Sequence, residues 1–247
     1  MKCLILAAGY ATRLYPLTEN FPKPLLEVAG RSILDHLVDD IDTSGQVDEY
    51  VVISNHKYYP HFVNWAQTKK QKITVLDDGT LTNETRLGAV KDIAFAIDKL
   101  SLDTDMLVIA GDNLLSFSLT EFIKYAREKK ASCVMRYYEG DMERLKKCGV
   151  VTIDETDRIL RMSEKSPEPE SHWCTPPFYY YTENDAALVS VGIKEGCATD
   201  APGSFIAWLC RRSEVYAMEM PGVRYDIGDL KSYESVKKIF GGQDADT

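Results

Sequence analysis

Two cations sit on one loop near the start of the chain. Arg13 and Lys23 both fall within the stretch Leu4–Gly30, which opens as an apolar run and turns at the small residues Ala7, Ala8 and Gly9. An arginine forks onto phosphate oxygens, whereas a lysine acts as a compact point charge. Lys23 is flanked by Pro22 and Pro24, which restrict its backbone and lower the entropy lost in aiming the amine. The small residues let backbone N–H groups come close to a ligand. The loop lacks the G-K-[ST] ending of a phosphate-binding P-loop and also lacks G-x-G-x-x-G. A phosphate-bearing ligand is one reading; an ordinary surface loop with two solvated cations is the other.

Carboxylates supply the second set. Asp112 lies in Gly111-Asp112-Asn113, at the end of an apolar run. A carboxylate there is either a turn cap or a ligand for a hard cation, and Mg²⁺ is usually held by one or two carboxylates plus substrate phosphates. Asp226 lies in a strand-like stretch, "GVRYDIGD", where aspartate is unfavourable without a partner. Asp229 precedes a helical pattern and reads as its cap. Glu164 and Lys165 end a hairpin-like stretch. They form a solvated charge pair or, in a crevice, a hydroxyl acceptor beside a phosphate-binding amine.

These residues need a scaffold, and the pattern supplies one. "KCLILAA", "EYVVIS", "KITVLDD", "DMLVIAGDN" and "ASCVMRYYE" read as strands. Between them lie helical stretches, such as "SILDHLVDDI", with Ile33, Leu34, Leu37 and Ile41 on one face. Such alternation predicts an α/β fold with a Rossmann-like, mostly parallel central sheet flanked by helices. Ligands bind outside the strands' carboxyl ends in such sheets. Beyond about residue 148 the rhythm changes. A hairpin turning near Glu155-Thr156-Asp157 and the strand "FYYYT" begin a smaller lobe inserted in the C-terminal half. The expected organisation is one domain over residues 1–240, with a nucleotide-binding part to about 147, the lobe over 148–224, a closing segment over 225–240 and a flexible tail over 241–247.

Bulk properties narrow the function. The 247 residues carry a net charge of −9 with 45% hydrophobic content, which argues against a nucleic-acid or membrane-surface binder. The six cysteines form no C-x-x-C pair and match no zinc spacing. Cys3 and Cys133 fall in apolar runs, as buried free thiols do. We expect a reducing cytoplasm, since neither a signal peptide nor an apolar run long enough for a membrane span is visible.

The chain resembles the sugar-1-phosphate nucleotidyltransferases of the nucleotidyl transferase family. That family reads L-A-A-G-x-G-T-R-L, P-K-[PQ]-L, G-D, E-K-P and W-x-D-I-G-T in order. This sequence has LAAGYATRL, PKPLL, GDN, EKS and YDIGD in the same order, from Leu6 to Asp229. It is similar to short members that lack a C-terminal acyltransferase domain. The resemblance implies nucleotidyl transfer from a nucleoside triphosphate to a sugar-1-phosphate, giving an NDP-sugar and pyrophosphate, with Mg²⁺ as cofactor. It implies catalytic roles for Arg13, Lys23 and Asp112, with Asp112 and Asp226 as metal ligands. It implies substrate contacts from Leu6, Ala7, Ala8 and Gly9, and places Asn83 and Gly88 near the base. Gly149 and Glu164 would contact the sugar, and Lys165 its phosphate. Homo-oligomers occur among relatives.

Departures are visible. Ala11 stands at the family's second glycine, Ser166 at the proline of E-K-P, Tyr225 at the tryptophan, and Asp229 at the threonine. We expect the loop to need smallness at Ala11 and not a left-handed backbone. Two alternatives stand beside the main reading. One is a cytidylyltransferase acting on phosphocholine or another non-sugar phosphate, with an aromatic box from Trp173, Tyr179, Tyr180 and Tyr181, although simple strand packing is preferred for the tyrosines. The other is an inactive nucleotide-sugar-binding subunit.

Overall fold

The computed structural model describes residues 1–242. Gly241 closes the last helix and Gly242 caps it; the remaining residues of the expected tail, 243–247, lie outside the described residues.

The chain begins with β1 (Lys2–Leu6), passes single 3₁₀ turns at Thr12–Leu14 and Lys23–Leu25, and forms the short hairpin β2 (Glu27–Val28) and β3 (Arg31–Ser32). Then follow α1 (Ile33–Asp42), β4 (Glu49–Ser54), α2 (Tyr59–Gln67) and β5 (Ile73–Asp77). A 3₁₀ turn at Asn83–Thr85 leads to α3 (Ala89–Leu100), β6 (Met106–Ala110), β7 (Asn113–Leu115), α4 (Thr120–Lys129) and β8 (Ser132–Tyr138). The remainder is α5 (Met142–Leu145), β9 (Gly149–Ile153), β10 (Ile159–Glu164), β11 (Trp173–Thr175), β12 (Phe178–Tyr181), α6 (Glu183–Ala186), α7 (Val189–Lys194), α8 (Gly203–Leu209), β13 (Val215–Glu219), β14 (Arg224–Asp226) and α9 (Leu230–Gly241).

These elements form two compact units that interleave along the chain. The first is Met1–Leu4, Leu87–Ile109 and Glu121–Pro221; the second is Ile5–Arg86, Ala110–Thr120 and Gly222–Thr247. The division expected from chain order ran near residue 148, whereas contacts assign α3 and most of β6 to the same unit as the C-terminal lobe.

In the first unit the strand order is β10-β9-β11-β8-β12-β6-β1, with β13 also on β8. The hairpin expected around Glu155-Thr156-Asp157 is β9–β10, antiparallel, with Glu164 opposite Gly149. β12, the "FYYY" strand, lies between β6 and β8 and runs antiparallel to both. β13 pairs with β8 in parallel. Tyr179, Tyr180 and Tyr181 are all buried here, because a strand inside a sheet covered on both faces presents no free side. Strand packing is therefore the role of the tyrosine run. No aromatic box forms from it, since Trp173 packs instead on Arg136 and Tyr138.

In the second unit the end of β1, β4 and β5 lie side by side, with β4 and β5 parallel. α1 follows the pattern read from the sequence: Ile33, Leu34, Leu37, Val38 and Ile41 are buried. Its start is fixed by a reciprocal cap, in which the Asp35 amide donates to Ser32 Oγ (3.0 Å) and the Ser32 amide to Asp35 Oδ2 (3.3 Å). α9 begins the same way. Asp229 Oδ1 accepts from the Ser232 amide at 2.7 Å, as expected for a cap. Those hydrogen bonds, to the Ser232 backbone first, hold the Asp229 carboxyl below the usual range. A local core of Leu14, Leu26, Val28, Ile33, Leu114, Ile227, Tyr233 and Val236 ties α1 and α9 to the opening loop. Tyr225, at the family's tryptophan position, meets Phe240 edge-on at 5.4 Å beside that core.

Candidate functional site

Leu6, Ala7, Ala8, Gly9, Arg13, Lys23, Asn83, Asp112 and Asp226 belong to the second unit; Gly88, Gly149, Glu164 and Lys165 belong to the first.

In the second unit β1 ends where its neighbours take up several of the loop's polar groups. The Ala7 amide donates to Ile53 O (2.9 Å), Leu6 O accepts from the Gly111 amide (3.1 Å), and Ala8 O accepts from Asn55 Nδ2 (2.9 Å). The Ala7 N–H is thus committed to the sheet, and the open part of the turn is Gly9, which is exposed with free space around its Cα. Arg13 is exposed on the following 3₁₀ turn. Asn83 lies on its own turn, where its carbonyl accepts from Arg86 Nη1 at 2.9 Å.

Ala11 caps the Arg13 turn in the left-handed region, at φ 47°, ψ 42°. The expectation that this position needs only smallness is overturned. Ala11 O accepts from the Leu14 amide (3.0 Å) and Thr18 Oγ1 (2.8 Å), which hold the bend. Alanine there is destabilised by roughly 1–2 kcal/mol relative to its right-handed form.

Lys23 is 8% exposed. Pro22 is extended and Pro24 sits inside the 3₁₀ turn, as their rings require. Lys23 Nζ donates to Asp112 Oδ2 at 2.7 Å. Asp112 Oδ1 accepts from Asn113 Nδ2 (2.8 Å), and Asn113 Oδ1 accepts from Arg224 Nη1 (2.7 Å). Arg224 in turn lies 4.0 Å from Asp226 Oδ1. The strand pair β7–β14 makes this possible by setting Asp226 opposite Asn113. Two carboxylates far apart in sequence therefore join one polar chain, Lys23–Asp112–Asn113–Arg224–Asp226. Sequence reasoning missed Asn113 and Arg224. Two signals pointed at them: Asn113 follows Asp112, and Arg224 shares a strand face with Asp226 by the two-residue period.

The pair suits a hard divalent cation only in part. Two carboxylates offer oxygen ligands, but each already neighbours a cation. Among the described residues no group of three or more Asp, Glu, His or Cys side chains gathers. Any ion held there would draw most of its ligands from phosphate and water, as Mg²⁺ commonly does.

The first unit gathers a different cluster. Glu164 ends β10 opposite Gly149, and a Cβ on Gly149 would fall 2.4 Å from Thr175 Oγ1 and 2.8 Å from Glu164 Oε2. Burial pushes the Glu164 carboxyl up to about 7, against the opposing charge of Lys165. Lys165 has a positive φ of 51°. Its amide donates to Cys148 O at 2.9 Å, and its Nζ lies 3.5 Å from Asp200 Oδ2. Gly88, at φ +93°, packs against this same Asp200 loop. A Cβ on it would fall 2.6 Å from Thr199 O. The amides of Ala89 and Val90 donate to Asp200 O and Thr199 O (3.2 and 3.0 Å). Glu164, Lys165, Gly149 and Gly88 are thus connected through Asp200, Thr199 and Thr175, which the sequence did not single out.

Comparison with known proteins follows this geometry. The family described as Nucleotidyl transferase matches residues 2–240. The chain is 30% identical over 187 residues to UTP–glucose-1-phosphate uridylyltransferase AglF of Haloferax volcanii, covering 74% of this chain and 72% of that protein. It is 28% identical over 246 residues to mannose-1-phosphate guanylyltransferase 1 of Arabidopsis thaliana, covering 97% of this chain and 64% of that protein. In three dimensions it is similar to an apo UDP-glucose pyrophosphorylase, with a TM-score of 0.83 at 17% identity and 98% of each chain covered. With the motif residues in order and the fold shared, the chain belongs to the nucleotidyl transferase family.

Proposed function

We propose that the protein transfers a nucleotidyl group from a nucleoside triphosphate to a sugar-1-phosphate, releasing pyrophosphate and an NDP-sugar. The observation that carries this is the Lys23–Asp112–Asn113–Arg224–Asp226 chain beside the opening loop. It sets a buried amine, Lys23, among fixed charges of both signs that remain open to a ligand, as in-line phosphoryl chemistry needs.

An acceptor phosphate oxygen forms a bond to the α-phosphorus while the bond from that phosphorus to the bridging oxygen breaks. Arg13 binds the triphosphate, with the Gly9 turn close to it. Lys23 keeps donors free beyond the one given to Asp112, since an ammonium has three, and neutralises charge on the reacting phosphates. Asp112 and Asp226 would hold Mg²⁺, which supplies charge neutralisation at the departing pyrophosphate when bound. Asn83 and Gly88 serve the base side. On the acceptor side, Glu164 meets a sugar hydroxyl, Gly149 contacts the sugar while leaving room for the Glu164 carboxyl, and Lys165 exchanges Asp200 for the sugar phosphate. A cytoplasmic setting belongs to this reading. It is supported by six cysteines that are all free thiols, and among the described residues no helix is long and apolar enough to cross a membrane.

The test is pyrophosphate release with a panel of triphosphates (ATP, CTP, GTP, UTP, dTTP) against glucose-, mannose- and N-acetylglucosamine-1-phosphate and phosphocholine. Release confined to a sugar-1-phosphate supports the proposal. Release with phosphocholine alone, or none in any pairing with Mg²⁺, refutes it.

A further inference from the structure

The Glu164 carboxyl is held by shape. Among the described residues no side-chain hydrogen bond to it is present; instead it lies between Gly149 and Gly203, with Met162 alongside. Gly203 is the first residue of α8, which packs on β10. A Cβ at Gly203 would lie 2.2 Å from Glu164 Oε2, 3.4 Å from Glu164 Cδ and 2.8 Å from Met162 Cε. The backbone at Gly203 does not require glycine, because its φ lies outside the left-handed range. In a helix alanine is ordinarily favoured over glycine by about 1 kcal/mol. The close approach of the carboxyl is thus the physical reason for glycine at this position. Met162 Cε is the end of a flexible side chain and can move aside. The carboxyl oxygen occupies space that two glycines leave open, since a Cβ at Gly149 would fall 2.8 Å from the same atom.

We propose that Gly203 is a positioning residue for the acceptor site: by lacking a side chain at the start of α8, it opens the slot that seats the Glu164 carboxyl and so sets how the acceptor is read. The inference rests on the reading that Glu164 meets the acceptor.

The test is steady-state kinetics of Gly203→Ala with UTP and glucose 1-phosphate, or with whichever pair of the panel is turned over. The acceptor KM should rise at least tenfold while the triphosphate KM stays within twofold. In a Glu164→Ala background, Gly203→Ala should then add less than twofold, because the atom it displaces is gone. A merely structural role would move both KM values together and persist in that background; either result overturns the proposal. If Glu164→Ala leaves the acceptor KM unchanged, the acceptor reading itself fails and takes the inference with it. If Glu164→Ala is impaired but Gly203→Ala is not, only the role of Gly203 fails. Should Gly203→Ala not fold, Glu164→Asp/Gly203→Ala decides, since the shorter acid withdraws from the added methyl. Recovery of folded protein supports the contact, and no recovery overturns it.

Discussion

The polar chain of the second unit and the glycine-lined slot of the first are built by opposite means. At Lys23 and Asp112, charge meets charge: the amine is buried and lies 2.7 Å from its carboxylate, and Asn113 and Arg224 extend the network. At Glu164 the carboxyl is held by surrounding bulk and by the absence of two side chains. The first arrangement gives each charged group a partner of opposite charge or a hydrogen bond. The second weakens the charge, because burial raises the acid's pKa without a hydrogen bond to compensate. Electrostatic construction suits the stabilisation of phosphates, and steric construction suits discrimination between acceptors.

The largest effect should come from breaking the charged side. Asp112→Asn and Asp226→Asn each keep size and remove one charge. Each should lower kcat by on the order of 10²-fold or more if both carboxylates act through one divalent ion. The double variant should be little worse than the worse single variant. Losses that multiply, or a near-normal kcat for either variant at saturating Mg²⁺, would assign the two residues separate roles. Asp112→Asn also removes the partner of Lys23, so its loss should exceed that of Asp226→Asn.

Next comes Lys165→Ala, which probes the other side. Lys165 pairs with Asp200 and follows Glu164 on the proposed acceptor side, so the acceptor KM should rise about tenfold or more with the triphosphate KM nearly unchanged. Equal changes in both constants would dissolve the contrast between the two regions.

How far each region was legible follows from the same contrast. Charged motifs announce themselves: residue type and local misfit singled out Lys23, Asp112 and Asp226 as candidates, and the resemblance to a family supplied their expected roles. Asp229 was read as a cap for the same reason, since a carboxylate before an amphipathic stretch has an obvious partner in free amides. Gly203 was invisible because a glycine near a helix start has several ordinary causes, and only the folded chain brings the Glu164 carboxyl against it. Asn113 and Arg224 were missed because the strand period places Arg224 beside Asp226 but does not reveal the β7–β14 pairing that brings Asn113 to both. The place of β12 between β6 and β8 was hidden likewise: a buried apolar strand reads the same wherever it inserts. At Ala11, sequence reasoning went wrong because side-chain volume carries no information about the sign of φ.

A smaller effect, pH dependence, should separate the regions without removing either. Burial raises the Glu164 carboxyl from its ordinary 4.5 to about 7. The folded protein therefore keeps a proton that the unfolded chain releases above about pH 4.5. The stability contributed by this group is complete below pH 4.5, falls as pH rises, and is lost above about 7. Glu164→Gln cannot titrate, so the difference in Tm between variant and wild type should shift in favour of the variant between pH 5 and 8. The acceptor kcat/KM should show an inflection near 7 in the wild type that is absent in Glu164→Gln. A pH-independent Tm difference would mean that the slot does not bury the acid as described.

The smallest effect belongs to the opening loop. Ala11 holds a left-handed backbone at φ 47° beside the turn that carries Arg13, and glycine adopts that conformation without the steric penalty of a Cβ. Glycine also has more freedom to lose on folding, by roughly 0.5–1 kcal/mol. The two contributions oppose each other, so Ala11→Gly should change stability by about 1 kcal/mol or less, with strain relief setting the sign. The measurement is the denaturant midpoint at constant m, with triphosphate KM as the functional reading. Activity should stay within a few-fold, because Thr18 Oγ1 and the Leu14 amide fix the bend through the Ala11 carbonyl, which glycine retains. A large gain in triphosphate affinity on restoring glycine would show that the strain reaches Arg13. The charged region would then depend on backbone shape as much as the Glu164 slot does.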